Sequence, residues 1–284
     1  MPSSMELAAR LSGVVSAQQE MLSVLNDPQQ VMQLAVNRTP DVTNSAGAVV
    51  ELAEGDQLVY RAASGPAARH IGLRIPIDDS ISGSSIIEQR PIRCDDVDLD
   101  PRVNSAAARM IGIRSLIVAP LMHGEKAVGV LKTFSHKTNT FDDLDTYTLQ
   151  LLAGMTSAAL MEAHEIRARQ ASEERYRMLF ERNVAGVFRT TLDGRILDCN
   201  DALAAYLGYA SREDLLKREV WDLYHQRTDR EKFLEDLKND RAPTNRRLQL
   251  KRKDGSSIMG LVTASLIPAD GGESQVLGTM VEDS

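Results

Sequence analysis

The stretch "GVFRTTLDGRILDCNDALAAYLGY", residues 186–209, decides how the C-terminal half of the chain folds. It opens on an alternating run, passes an Asp193-Gly194 pair, alternates again and ends in an apolar segment at helical spacing. Alternation at period two marks a half-buried strand, and Asp-Gly between two such runs marks a hairpin turn. The segment holds almost nothing able to perform covalent chemistry. It therefore reads as strand, turn, strand and short helix, and not as a reaction centre.

Downstream, "SREDLLKREVWDLYHQRTDREKFLEDLKND" adds helical segments with Ser211 and Thr228 as caps. "NRRLQLKRKDGSSIMGLVTASLIP" makes a second Asp-Gly hairpin, and "SQVLGTMVED" supplies a last strand. This half is expected to be a five-strand antiparallel sheet with helices inserted in its middle, an α+β arrangement.

Upstream, the pattern is helical from just after Phe141 to Glu181, with no Gly or Pro beyond Gly154. A helix longer than about 25 residues in a small domain generally has a partner helix. Leu152, Met155, Ala159 and Ile166 are the candidate seam positions for a homodimer through this helix, although Glu162, Arg169 and Glu173 interrupt the heptads. The plainer alternative is a solitary solvated helix.

The N-terminal half opens on an amphipathic helix over residues 5–25, carried by Leu7, Leu11, Val14 or Val15, Met21 or Leu22, and Leu25. A second helix is expected from Asp27 to about Arg38, capped by Asp27, begun by Pro28 and closed by Pro40. "AGAVVELAEGDQLVYRAAS" (46–64) and "SLIVAPLMHGEKAVGVLKTFSH" (115–136) read as hairpins. Between them lie short helical candidates over Ser80–Gln89 and Val103–Ile111 and a strand candidate "PIRCDD". Short elements of this kind beside a sheet often form a pocket wall.

Composition bounds the function. A chain of 284 residues suits two domains. With 43% hydrophobic, 26% charged and only 4% aromatic residues, it is globular with small aliphatic cores. Thirty-three basic against 40 acidic residues give a net charge of -7, which opposes attraction to phosphate backbones and anionic lipid, so neither nucleic acid nor membrane is an expected partner. Two cysteines about a hundred residues apart form neither a disulfide framework nor a metal cluster, which favours a reducing cytoplasm. The first residues carry no signal-peptide pattern, and no apolar run is long enough to span a membrane.

The second half resembles a PAS domain, a small sensor module of bacterial signalling proteins. The resemblance rests on "GVFRTTLDGRILDCNDALAAYLGY", on "LQLKRKDGSSIMGLVTASL" and on the closing "GTMVEDS", and covers about residues 172–284. The first half resembles a GAF domain, a related module, through the two hairpins, "IGLRIPIDDSISGSSIIEQRPIRCDDVDLDPR" and "FDDLDTYTLQLLAGMTSAAL", over about residues 5–168. The expected organisation is a GAF-like domain at 1–168, a helical linker at 169–183 and a PAS-like domain at 184–284. Each domain is expected to hold a central antiparallel sheet flanked by helices.

These resemblances imply a cytoplasmic sensory region that detects a small molecule or redox state. They imply that the signal passes through the dimeric linker to an absent output domain, commonly a histidine kinase of a two-component system, with a diguanylate cyclase or a transcription regulator next, or to a response regulator. The alternative is a ligand-free dimerisation and interaction module. The chain itself is not expected to be an enzyme, since Gly-x-Ser-x-Gly, the phosphate-binding loop, His-Glu-x-x-His and Gly-x-Gly-x-x-Gly are all missing.

"AHEIRARQ", with His164, is similar to a phosphoacceptor box but lacks the Thr-Pro-Leu that follows it in histidine kinases. The cofactor is unknown. Cys199 precedes Asn200 at a strand end, unlike the helix Cys of flavin photoreceptors, and Cys94 is followed by Asp95, unlike a bilin attachment site. Both read as small buried residues. His70, His123, His136 and His225 fall in loops or near element ends, so no haem signature stands out. "NTFDDLD" is a poor match to a cyclic-nucleotide motif.

What remains is a non-covalent ligand pocket. Its candidates are Tyr60, Arg93, Asp95, Arg109 and Arg114 in the first module, and Asn200, Tyr206, Trp221 and Arg247 in the second. Arg93 and Arg114 have the chemistry to clamp a carboxylate, set against the plainer reading of surface ion pairs with the acidic run Asp95 to Asp100. The basic run "NRRLQLKRK" reads as a solvated strand.

Overall fold

The computed structural model describes residues 4–103, 105–239, 244–268 and 273–283. Asn104, in the second short helical candidate, and Asp240, at the end of the last one, lie outside the described residues. The chain divides into two compact units between Gln170 and Ala171.

The first unit begins with α1 (Ser4–Leu22) and α2 (Pro28–Thr43). Asp27 caps α2 through its carboxylate, which accepts from the Gln29 amide at 3.0 Å. Pro40 does not end this helix but lies inside it, a correction to the sequence reading. Proline has no N–H to return to the carbonyl four residues back. Here the Ser64 hydroxyl donates to that carbonyl, Val36 O, at 2.6 Å, so the helix continues to Asn44, which closes it in the left-handed conformation (φ 47°).

The hairpins follow as β1 (Gly47–Glu54) with β2 (Gln57–Ala63), and β5 (Ser115–His123) with β6 (Lys126–Ser135). A 3-10 turn (Gly65–His70), β3 (Arg74–Pro76), α3 (Ile81–Glu88), β4 (Ile92–Cys94) and α4 (Ser105–Ile111) lie between them. The strands form one antiparallel sheet in the order β3-β2-β1-β6-β5-β4.

Period-two alternation divides the strand residues between two cores. Val50, Ala62, Ile117 and Leu131 pack with α1, α2 and the first part of α5 (Asp143–Glu181). Val49, Tyr60, Leu116 and Phe134 face the short elements through Ile75, Ile81 and Ala108. The sheet therefore has one face closed by long helices and one closed by short segments that can leave a gap.

The second unit holds β7 (Gly186–Thr191), β8 (Ile196–Cys199), α6 (Asp201–Tyr206), α7 (Arg212–Leu215), a 3-10 turn (Val220–Leu223) and α8 (Arg227–Asn239). Then come β9 (Thr244–Lys251), β10 (Ser257–Pro268) and β11 (Ser274–Glu282). The five strands pair antiparallel in the order β8-β7-β11-β10-β9. The helices bury Leu203, Leu223 and Phe233 against Val262, Val276 and Met280.

Local chemistry sets these joints. Gly194 sits at φ +107° in the β7–β8 turn, where a Cβ would stand 2.2 Å from the Trp221 indole nitrogen, so only glycine fits. Ser211 caps α7 as expected, accepting from Asp214 N at 3.3 Å. Thr228 is instead one residue inside α8, which already begins at Arg227.

Candidate ligand-binding cavities

In the first unit, the face under the short elements carries an unusual cluster. Alternation along β1 places Glu51 on the same face as Val49, and alternation along β6 places Lys132 on the same face as Val130 and Phe134. Glu51 is 0% and Lys132 4% exposed. The Lys132 ammonium donates to Glu51 Oε1 and, at 2.9 Å, to the Tyr60 hydroxyl, and it stands 4.8 Å from the Tyr60 ring centroid. Glu51 Oε2 is buried without a hydrogen-bond partner.

Burial opposes the charge on Lys132, but the Glu51 carboxylate and the Tyr60 hydroxyl outweigh it and hold the ammonium above its ordinary range. Burial likewise raises the Tyr60 phenol. Both groups keep their protons at neutral pH. A cavity of about 30 Å³ opens beside them, bordered by Tyr60, Ser80, Ser82, Val103, Leu116 and Lys132. Ser80 caps α3 there, accepting from Gly83 N at 3.0 Å.

Of the candidates named from the sequence in this half, Tyr60 alone borders that cavity. Arg93 pairs with Asp95 at 3.1 Å and Asp143 at 2.7 Å. Arg114 pairs with Asp96 and Asp98, both at 3.5 Å, and Arg109 approaches Asp98 at 3.7 Å. The acidic run thus engages all three arginines, which is the ion-pair reading set beside the clamp. Cys94 is buried, and burial, with the Asp100 carboxylate adding, pushes its thiol up to about 12.

In the second unit a cavity of about 40 Å³ lies between the sheet and the helices. Its walls are largely apolar, among them Leu203, Leu207, Val262 and Met280, with Thr190, Tyr224 and Arg230 as the polar exceptions. Arg230 is 1% exposed. Its Nη2 donates to Thr190 Oγ1 at 3.1 Å, the Tyr224 hydroxyl is a further partner, and its carbon Cζ lies 5.5 Å from the Phe233 ring centroid. Burial raises the Tyr224 phenol, while the neighbouring guanidinium holds it down in part.

None of the sequence candidates in this half borders the cavity. Asn200 is fully buried and fully used. Its Nδ2 donates to Phe180 O and Ala185 O, both at 2.9 Å, and its Oδ1 accepts from Val187 N at 2.8 Å and Leu203 N at 3.0 Å. The residue therefore ties the end of α5 to β7 and caps α6. Tyr206 donates to Val184 O at 3.0 Å and Trp221 to Asp193 O at 2.9 Å, while exposed Arg247 pairs with Asp283 at 2.8 Å. Cys199 is buried, which pushes its thiol up to about 11.

The residues that matter to the cavities, Glu51, Lys132 and Arg230, were not singled out from the sequence. A signal was present for Lys132 and Arg230. Lys132 interrupts the apolar set Val130, Phe134, and Arg230 stands three and seven residues before the core positions Phe233 and Leu237 of α8.

The proposed dimer seam also needs correction. Leu152 and Ala159 are buried in the first unit's own core and Met155 packs against it, which leaves Leu152 and Ala159 no surface for a second chain. Ile166 is half-buried, and His164 is exposed on the same helix. Among the described residues, no three His, Cys, Asp or Glu side chains gather to hold a metal ion. None of the described helices is long and apolar enough to cross a membrane.

A GAF domain family matches residues 26–161, and a PAS domain family matches residues 184–283. The chain is a GAF domain followed by a PAS domain. Both families are sensory domains. No curated protein matches the chain. Among solved structures, the GAF domain of a phosphoenolpyruvate-protein phosphotransferase from Coxiella burnetii aligns at 17% identity and a TM-score of 0.52, covering 57% of this chain and 98% of that one. Free methionine-R-sulfoxide reductase from Neisseria meningitidis, solved with its substrate, aligns at 20% identity and a TM-score of 0.51, covering 58% of this chain and 96% of that one. At such identities the likeness is one of fold.

Proposed function

We propose that the chain is the cytoplasmic sensory region of a bacterial signal-transduction protein, in which a small molecule bound in one or both domains biases the packing of each sheet against its helices. The bias passes along α5 of a homodimer, with residues 169–183 as the linker, to an output domain of histidine kinase type. The chain itself performs no catalysis. A small molecule is favoured over a redox signal because both thiols are buried and held protonated.

The observation that carries this reading is the buried charge at each cavity, Lys132 with Glu51 in the GAF domain and Arg230 in the PAS domain. A core that served packing alone would gain nothing from them, since apolar side chains of similar size are as stabilising or more so. Native mass spectrometry of the chain as purified from cells tests it. A bound mass released on denaturation is expected. No bound mass, and no thermal shift across a metabolite library, would overturn it.

A second reading, a ligand-free dimerisation and docking module, is favoured by the exposed apolar side chains Met259, Leu277 and Val281 on the PAS sheet and by Tyr176, Met178 and Leu179 on α5. A dimer with no bound mass would support it.

A further inference from the structure

Arg230 carries a positive charge into a largely apolar cavity and, among the described residues, pairs with no carboxylate. Among the described residues its guanidinium forms no ion pair, Nε has no hydrogen-bond partner, and its polar contacts are two hydroxyl groups, those of Thr190 and Tyr224. The residue stands in the first turn of α8, where the helix dipole adds positive potential instead of offsetting it. Removing a guanidinium from water without an anion is unfavourable by several kcal/mol. A planar fork of five N–H donors with one nitrogen unpaired is the arrangement that receives a carboxylate.

The rest of the wall sets the body of the ligand. Leu203, Leu207, Val262 and Met280 offer apolar contact and no further donor or acceptor. A volume of about 40 Å³ holds only a few heavy atoms. From this charge, this lining and this size we infer that the PAS domain binds a short aliphatic monocarboxylate of roughly two to four carbons, its carboxylate on Arg230 and Thr190 and its alkyl end among the leucines and Met280. The inference rests on the sensory reading above and names the chemical class of its ligand.

The protein carries its own reporter. Trp221 is the sole tryptophan and lies in the 3-10 turn between Val220 and Leu223, which both border the cavity. Trp221 fluorescence of the full chain is titrated with sodium acetate and sodium butyrate at constant ionic strength in chloride, with butyramide as the neutral isostere and nitrate as an inorganic anion. A saturable change with a carboxylate, absent with butyramide and nitrate, is expected. Arg230→Met is expected to weaken that binding roughly 30-fold or more, and to melt no lower than the parent in carboxylate-free buffer because it removes an unpaired charge. Arg230→Lys keeps the charge without the fork and is expected to retain part of the response.

A response to butyramide equal to that to butyrate, a response to nitrate alone, or an undiminished response in Arg230→Met would each overturn the inference. If carboxylates fail while native mass spectrometry finds a different molecule bound, the ligand class falls and the sensory reading stands. If carboxylates fail and nothing is bound, both fall.

Discussion

Lys132 is the side chain through which the GAF cavity can be probed one atom group at a time. Among the described residues its ammonium supplies the single hydrogen bond to the buried Glu51 carboxylate, whose other oxygen has none. Lys132→Met removes one charge and strands the other, so we expect it to lower the stability of the GAF domain by about 3–5 kcal/mol. Adding Glu51→Leu removes the stranded charge and is expected to recover most of that loss. Guanidinium denaturation followed by circular dichroism reads both, and a double variant as weak as the single one would refute the account. Asn200 illustrates the opposite case. The sequence marks it as special, but five hydrogen bonds to the backbone leave it nothing to offer a ligand.

Elements were legible where local rules agree with the tertiary fold. Gly55, Gly124 and Gly194 mark hairpin turns and adopt positive φ in the structure, and period-two alternation located the strands beside them. α2 shows where such rules stop, because the hydroxyl that lets Pro40 sit inside the helix comes from Ser64, beyond the next hairpin. Ser64 also accepts from Ala48 N at 3.0 Å. Ser64→Ala is expected to destabilise by roughly 1–3 kcal/mol, and by less in a Pro40→Ala background, where a restored N–H reaches Val36 O. A coupling of at least about 0.5 kcal/mol in this cycle is expected. Strict additivity would show that the hydroxyl does not substitute for the missing amide.

For the whole molecule, the order of the two domains was legible because each is a succession of local signals. The cavities were not, since charged residues in strands and helices read as solvent-facing until the sheet stacking reveals which face is closed. The long helix poses the remaining question. Every residue from Arg167 to Leu179 is exposed, although the helix runs unbroken from Asp143 to Glu181. A helix exposed on all sides is stabilised by neither core, and isolated helical stretches of this length are marginal in water. Limited trypsin digestion is expected to cut first at Arg175 and Arg177, and more slowly as protein concentration rises if a second copy covers them. Fast cutting independent of concentration would remove the dimeric helix from the proposal.

The bond between Ser64 and Val36 also has a consequence over evolutionary time. Proline at 40 and a hydroxyl at 64 are two halves of one requirement, 24 positions apart. Lineages that replace the proline first relax the demand on the serine, whereas alanine at 64 opposite an intact proline is the genotype that selection would prune. Among descendants of this gene, the two positions are expected to drift in that order.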